Sequence, residues 1–106
     1  MNELTKYKGL QYYVLPSFIK MNHVGWGNGY VILPPDHQLH GIDYYDIDNH
    51  VMVHGGLTYS QFDNNNNWVV GFDTGHFNSL PDFKTKESVI EETKRLAEQL
   101  SNIKII

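Results

Sequence analysis

Hydrophobic and polar positions divide this chain into short strands followed by one helix. Residues 10 to 19, LQYYVLPSFI, are rich in aromatic and β-branched types. Such residues suit a pleated, half-buried surface, so the run predicts a strand, with Pro16 at an edge or bulge. The glycines Gly25, Gly27 and Gly29 then suggest a turn or bulged entry, and Tyr30 to Leu33 predicts a short strand ended by Pro34 and Pro35. Residues 36 to 50, DHQLHGIDYYDIDNH, follow neither a strand nor a helix period. They read as a loop with one short helical turn. A loop of that length in a small domain is more often functional than idle.

Residues 51 to 62, VMVHGGLTYSQF, predict a strand interrupted at Gly55-Gly56. DNNNN at 63 to 67 is a turn, because Asn and Asp tolerate left-handed backbone angles. WVVGFD at 68 to 73 is the returning strand, which completes a hairpin. A loop follows over 74 to 82. The last element is a helix over 86 to 100, with Thr85 as its N-cap and Glu87 at its electropositive start. Val89, Ile90, Thr93, Leu96, Ala97 and Leu100 recur at three- and four-residue spacing and form one face. Glu91, Glu92, Lys94, Arg95 and Glu98 are expected on the other. The tail IKII is expected to add an edge strand or to pack in an oligomer interface. The sum is a single α+β domain over residues 1–106, a small antiparallel sheet packed against one C-terminal helix.

Composition narrows the chemistry. A chain of 106 residues suits one domain, and 41% hydrophobic and 13% aromatic residues supply a packed core. There is no cysteine. Disulfide staples and Cys-based zinc sites are thereby excluded, which favours a reducing, cytoplasmic home. No apolar stretch has signal-peptide character or approaches the roughly 20 residues of a membrane span, so no membrane partner is expected.

The net charge is −4, from 8 basic and 12 acidic residues. No Lys or Arg occurs between Met21 and Phe83, a stretch that holds all six histidines and seven aspartates. Phosphate contacts from basic side chains supply most non-specific nucleic-acid affinity, so tracking of a long nucleic acid is not expected. Any ligand site should lie in the His-, Asp- and Gly-rich middle, residues 22 to 82.

Three constellations there can carry chemistry. The first joins His54-Gly55-Gly56-Leu57-Thr58 to Gly71-Phe72-Asp73-Thr74-Gly75-His76 at the end of the hairpin partner. Adjacent glycines in a strand mark a bulge or a close approach by backbone or ligand. His54, Thr58, Asp73 and His76 are therefore expected to line one pocket, with Trp26 or Tyr30 at its edge. Asp73 would accept from a ribose or an amine, and His54 and His76 would donate to a phosphate or carbonyl. The competing account is structural: Asp73 caps the 74–76 turn, and His54 sits in a satisfied core network.

The second is the loop bearing Asp36, His37, His40, Asp43, Asp46, Asp48 and His50. These are ligand types for zinc, manganese or iron, yet neither HExxH nor an EF-hand pattern is present, and a solvated acidic loop is the favoured reading. No metal, cofactor or catalytic residue is expected. The third, Gly25-Trp26-Gly27-Asn28-Gly29-Tyr30, offers backbone N–H groups for phosphate but lacks GxGxxG and the P-loop lysine. A serine or cysteine hydrolase is poorly supported, because there is no Cys and no GxSxG elbow.

The runs GYVILPPDHQLHGIDYYDI, VHGGLTYS and WVVGFDTGH resemble a family of short, mostly uncharacterised proteins of bacteriophages and prophages. The resemblance covers roughly residues 29 to 76. Relatives often carry Cys before the final His, where this chain has Thr74 and Gly75. Small phage accessory proteins with a polar pocket and no catalytic signature are often counter-defence factors, some of which sequester nucleotide signals and assemble into oligomers. The resemblance therefore implies a non-catalytic binder of a small nucleotide-like ligand, acting as a homo-oligomer in the host cytoplasm. Two other classes stay open: a metal-dependent hydrolase or nuclease using His and Asp, and a protein-binding inhibitor or structural phage protein.

Overall fold

The computed structural model describes residues 4–17, 25–75 and 83–103. Its strands are β1 (Thr5–Tyr7), β2 (Leu10–Pro16), β3 (Gly27–Leu33), β4 (Tyr59–Phe62) and β5 (Trp68–Asp73). Its α-helices are the single turn α1 (Tyr44–Ile47), followed by a 3-10 turn at Asp48–His50, and the long α2 (Lys86–Asn102). The strands form one sheet in the order β1-β2-β3-β5-β4, with every pairing antiparallel. One face of the sheet packs on α2, so the fold is α+β as expected.

Helix α2 begins where the cap places it. The Thr85 side chain accepts from the Ser88 N–H at 3.1 Å, and the Ser88 hydroxyl donates back to the Thr85 carbonyl at 2.7 Å. The first of these satisfies an N–H that a helix start leaves open. Val89, Thr93, Leu96, Ala97 and Leu100 are fully buried, as their spacing requires. They meet Leu10 and Tyr12 of β2, Val31 and Leu33 of β3, and Val70 and Phe72 of β5 in one core. Glu92 departs from the expectation that it lies on the outer face. It is 6% exposed, pairs with Arg95 at 2.8 Å, and accepts the His54 backbone N–H at 2.8 Å. A buried carboxylate persists only when it is paired and hydrogen-bonded, and both partners are present here.

Several strand boundaries differ from the sequence reading, each for a local reason. β1 has no hydrophobic pattern and forms because Lys8 (φ 53) and Gly9 (φ 88) close a two-residue turn onto β2. Two central residues at positive φ match the twist of antiparallel strands. Gly27 and Gly29 lie inside β3 rather than in a phosphate-binding loop. A Cβ on Gly27 would collide with the Leu15 carbonyl, and one on Gly29 would collide with Thr93 of α2 and with Phe72. These glycines set close packing.

The strand expected over 51 to 62 is confined to 59–62. Gly55 (φ 71) and Gly56 (φ 80) adopt left-handed angles, and the Gly56 N–H closes a turn onto the Val53 carbonyl at 2.9 Å. Consecutive left-handed residues cannot continue a strand. The tail at 104–106, expected as an edge strand, lies outside the described residues.

The polar loop after β3 is ordered by its histidines and aspartates. His37 Nδ1 accepts the Leu39 N–H at 3.0 Å, which leaves Nε2 to donate to the Leu100 carbonyl at 2.8 Å. His40 Nε2 donates to the Asn66 carbonyl at 2.7 Å, and Trp68 Nε1 donates to the Ile42 carbonyl at 2.7 Å. Asp43 caps α1, and Asp48 Oδ1 accepts the Leu57 N–H at 2.8 Å. Leu39, Ile47, Val51 and Leu57 join the core. This segment therefore covers the β5–β4 half of the face whose other half lies under α2.

Candidate functional site

Alternation along the strands assigns the remaining side chains to the second face, opposite α2. Its central row crosses four strands: Tyr13 of β2 pairs with Tyr30 of β3, Tyr30 with Gly71 of β5, and Gly71 with Tyr59 of β4. The Tyr13 and Tyr30 rings are stacked, with centroids 4.9 Å apart and planes at 21°. Tyr59 meets Tyr30 edge-on at 5.4 Å and 82°. Gly71 makes this possible, because a Cβ there would lie 2.5 Å from Tyr30 Cδ1 and 2.8 Å from the Gly29 carbonyl. With no side chain at 71, the Tyr30 ring lies across β5 toward Tyr59.

Polar residues flank this row on both sides. On one side Asn28 pairs with Asp73 across β3 and β5. The Asn28 amide donates to the Tyr30 hydroxyl at 3.3 Å, and Asp73 Oδ1 accepts the Gly75 N–H at 3.1 Å. On the other side lie Gln11 and Gln61, with Ile32 and Val69 between them in the same register row. Ile32 and Val69 are 7% and 4% exposed, yet neither belongs to the core against α2. The second face thus has an apolar floor of its own, a row of rings, and amide and carboxylate groups at the margins.

Burial pushes the Tyr13 hydroxyl up from 10.0 to about 12, with Tyr30, Tyr59 and Asp63 adding to the effect. Burial also raises Tyr30, against the lowering hydrogen bond from Asn28. The stability consequence follows from the sign. Below pH 10 both folded and unfolded chains keep the Tyr13 proton. Between 10 and about 12 the unfolded chain releases it while the folded chain does not, so stability falls across that window. A tyrosinate absorbance titration should show late-ionising tyrosines. Seven tyrosines titrating together near pH 10 would contradict the arrangement.

The expected site residues divide. Tyr30 and Asp73 share the second face. His54 lies by α2: its backbone N–H is held by Glu92, and its ring is 4.4 Å from that of Phe83. Thr58 precedes β4 and is exposed, with its N–H on the Gly71 carbonyl at 2.9 Å. Trp26 packs against the core cluster, and its N–H donates to the Phe83 carbonyl at 2.7 Å. His76 lies outside the described residues. Thr74 is fully buried, and its hydroxyl both donates to the Gly27 carbonyl at 2.6 Å and accepts the Gly27 N–H at 3.2 Å.

Sequence reasoning missed Tyr13 and Tyr59. The available signal was the alternation of Tyr13 with the apolar Val14 and with Tyr12, and a glycine inside the otherwise bulky run WVVGFD. Among the described residues, no three His, Asp or Glu side chains converge as a metal set. Among the same residues no helix is long and apolar enough to cross a membrane. No protein-family model, no curated protein and no solved structure matches the chain.

Proposed function

We propose that this protein is a non-catalytic binder that captures a small nucleotide-like ligand on the open face of its sheet. The observation that carries this reading is the Tyr13–Tyr30–Tyr59 row, three rings aligned across the strands beside the apolar pair Ile32 and Val69. Every nucleobase has a flat π-face, and base–aromatic stacking contributes about 1–3 kcal/mol per base. Asn28 and Asp73 at the margin offer a donor and an acceptor for base edges or ribose hydroxyls. The strings VHGGLTYS and WVVGFDTGH support a place among phage and prophage accessory proteins. Sequestering a nucleotide signal in the host cytoplasm, as an oligomer with one face per copy, requires binding and no chemistry.

Equilibrium dialysis against nucleosides, mononucleotides and cyclic dinucleotides tests the reading, with tyrosine emission as a second signal. The expected result is saturable capture, with the ligand recovered intact on denaturation. Tyr13→Ala should weaken it by roughly five- to a hundredfold, the equivalent of one lost stacking contact. Absence of binding at millimolar ligand, or full affinity in Tyr13→Ala, would remove the proposal. Recovery of cleaved ligand would favour a hydrolase.

A further inference from the structure

We infer that the captured ligand carries an anionic group held by Lys6, so that a nucleotide lies with its base on Tyr13 and its phosphate beside β1. The inference rests on the ring-ligand reading and adds an orientation and a charge to it. Lys6 is the single basic residue in the five described strands. It pairs with Gln11, and its neighbours Thr5 and Tyr7 pair with the core-facing Tyr12 and Leu10. Lys6 therefore belongs to the open face, one register row from Tyr13.

Strand geometry fixes the span. Residues two apart on a strand advance by about 6.8 Å, and neighbouring strands lie about 4.8 Å apart. The Lys6 Cα is then roughly 8 Å from that of Tyr13, within reach of a flexible four-carbon side chain and comparable to the separation of base and phosphate across a ribose. A cleft of about 150 Å³ adjoins Lys6 on the side away from the tyrosine row, lined by Lys6, Gly9, Gln11, Ile32 and Asn67 among others. The ammonium and two side-chain amides there can donate to phosphate oxygens.

The charges on the face give the ligand a direction. Asp73 stands on the far side of the tyrosine row from the Lys6–Gln11 pair. Asp63 follows β4, at the opposite edge of the sheet from β1, and its carboxylate is engaged by the Asn65 and Asn67 N–H groups and the Asn67 amide at 2.8, 3.0 and 3.2 Å. An anionic group on a ring seated over Tyr13 is drawn toward Lys6 and repelled from the Asp73 end.

Calorimetric titration of the full chain with adenosine and guanosine, and with their 5′-monophosphates, reads this directly. At low salt the wild type should bind each nucleotide about tenfold tighter than its nucleoside, the gain expected of one charge-assisted contact. That ratio should fall toward one in Lys6→Gln and shrink as salt screens the pair. Lys6→Arg and Lys8→Gln should keep it, because Lys8 sits in the turn over the Tyr7 ring rather than on this face. A ratio that survives Lys6→Gln, or equal affinities in the wild type, overturns the inference and leaves the ring-ligand reading standing. Failure of both nucleosides and nucleotides to bind overturns the two together.

Discussion

Leu96→Ala is expected to destabilise the fold by about 2–5 kcal/mol, the usual cost of emptying a fully enclosed leucine site. Leu96 is 0% exposed and lies midway along α2, among Val89, Ala97, Leu100 and the inner residues of β2, β3 and β5. The lost side chain takes with it both its transfer free energy and its contacts. The surrounding atoms belong to a helix and a sheet that cannot collapse independently into the space. In a domain of this size the melting temperature should fall by at least about 8 °C. Glu98→Ala, two residues along on the exposed side, should leave it nearly unchanged. A wild-type melting temperature in Leu96→Ala would contradict the packing of α2 on the sheet.

Gly29→Ala is expected to act in the opposite way, by overfilling. The added methyl would collide with the Thr93 hydroxyl and lie 2.6 Å from Phe72 Cε1. Thr93 and Phe72 are 0% and 1% exposed, so neither side chain has solvent to move into. Overpacking of this kind costs about 1–3 kcal/mol, and here the backbone of helix or sheet must shift to relieve it. Removing the obstruction from the other side tests the cause. In a Thr93→Ala background the penalty of Gly29→Ala should shrink, with incomplete rescue because the Phe72 contact remains. Urea unfolding of the four proteins of this double-mutant cycle gives the coupling. Strict additivity, or a neutral Gly29→Ala, would show that the helix does not approach the sheet this closely.

The contrast between the helix and the site shows what a linear sequence can carry. The inner face of α2 was legible because residues three and four apart share a face whatever they pack against. WVVGFD and its Asn-rich turn were legible for similarly local reasons. Glu92 was not. A charged residue is assigned to solvent unless its partners are known, and one of them, the His54 N–H, lies 38 residues away. VMVHGG has the composition of a strand, and its turn is fixed by remote carboxylates, Asp48 on Leu57 and Glu92 on His54. In the candidate site, Tyr30 and Asp73 were named from their own motifs. Tyr13 and Tyr59 join them only through the order β2-β3-β5-β4, a property of long-range pairing. The histidines of the 36–50 loop looked like ligands because ligand types and hydrogen-bonding clamps are the same residues. Here His37 and His40 are spent on the carbonyls of Leu100 and Asn66.

The described strands are unequal in length, and their order gives that inequality a consequence for self-association. The two outermost, β1 and β4, have 3 and 4 residues, while the three between them have 7, 7 and 6. An exposed edge is a template for another chain in proportion to the length of unpaired backbone it presents. This sheet keeps its long, aromatic and β-branched strands in the interior and ends on stubs too short to recruit a neighbour into a continuous ladder. Among the described residues, crowded copies of the protein therefore offer one another only short edges for strand addition.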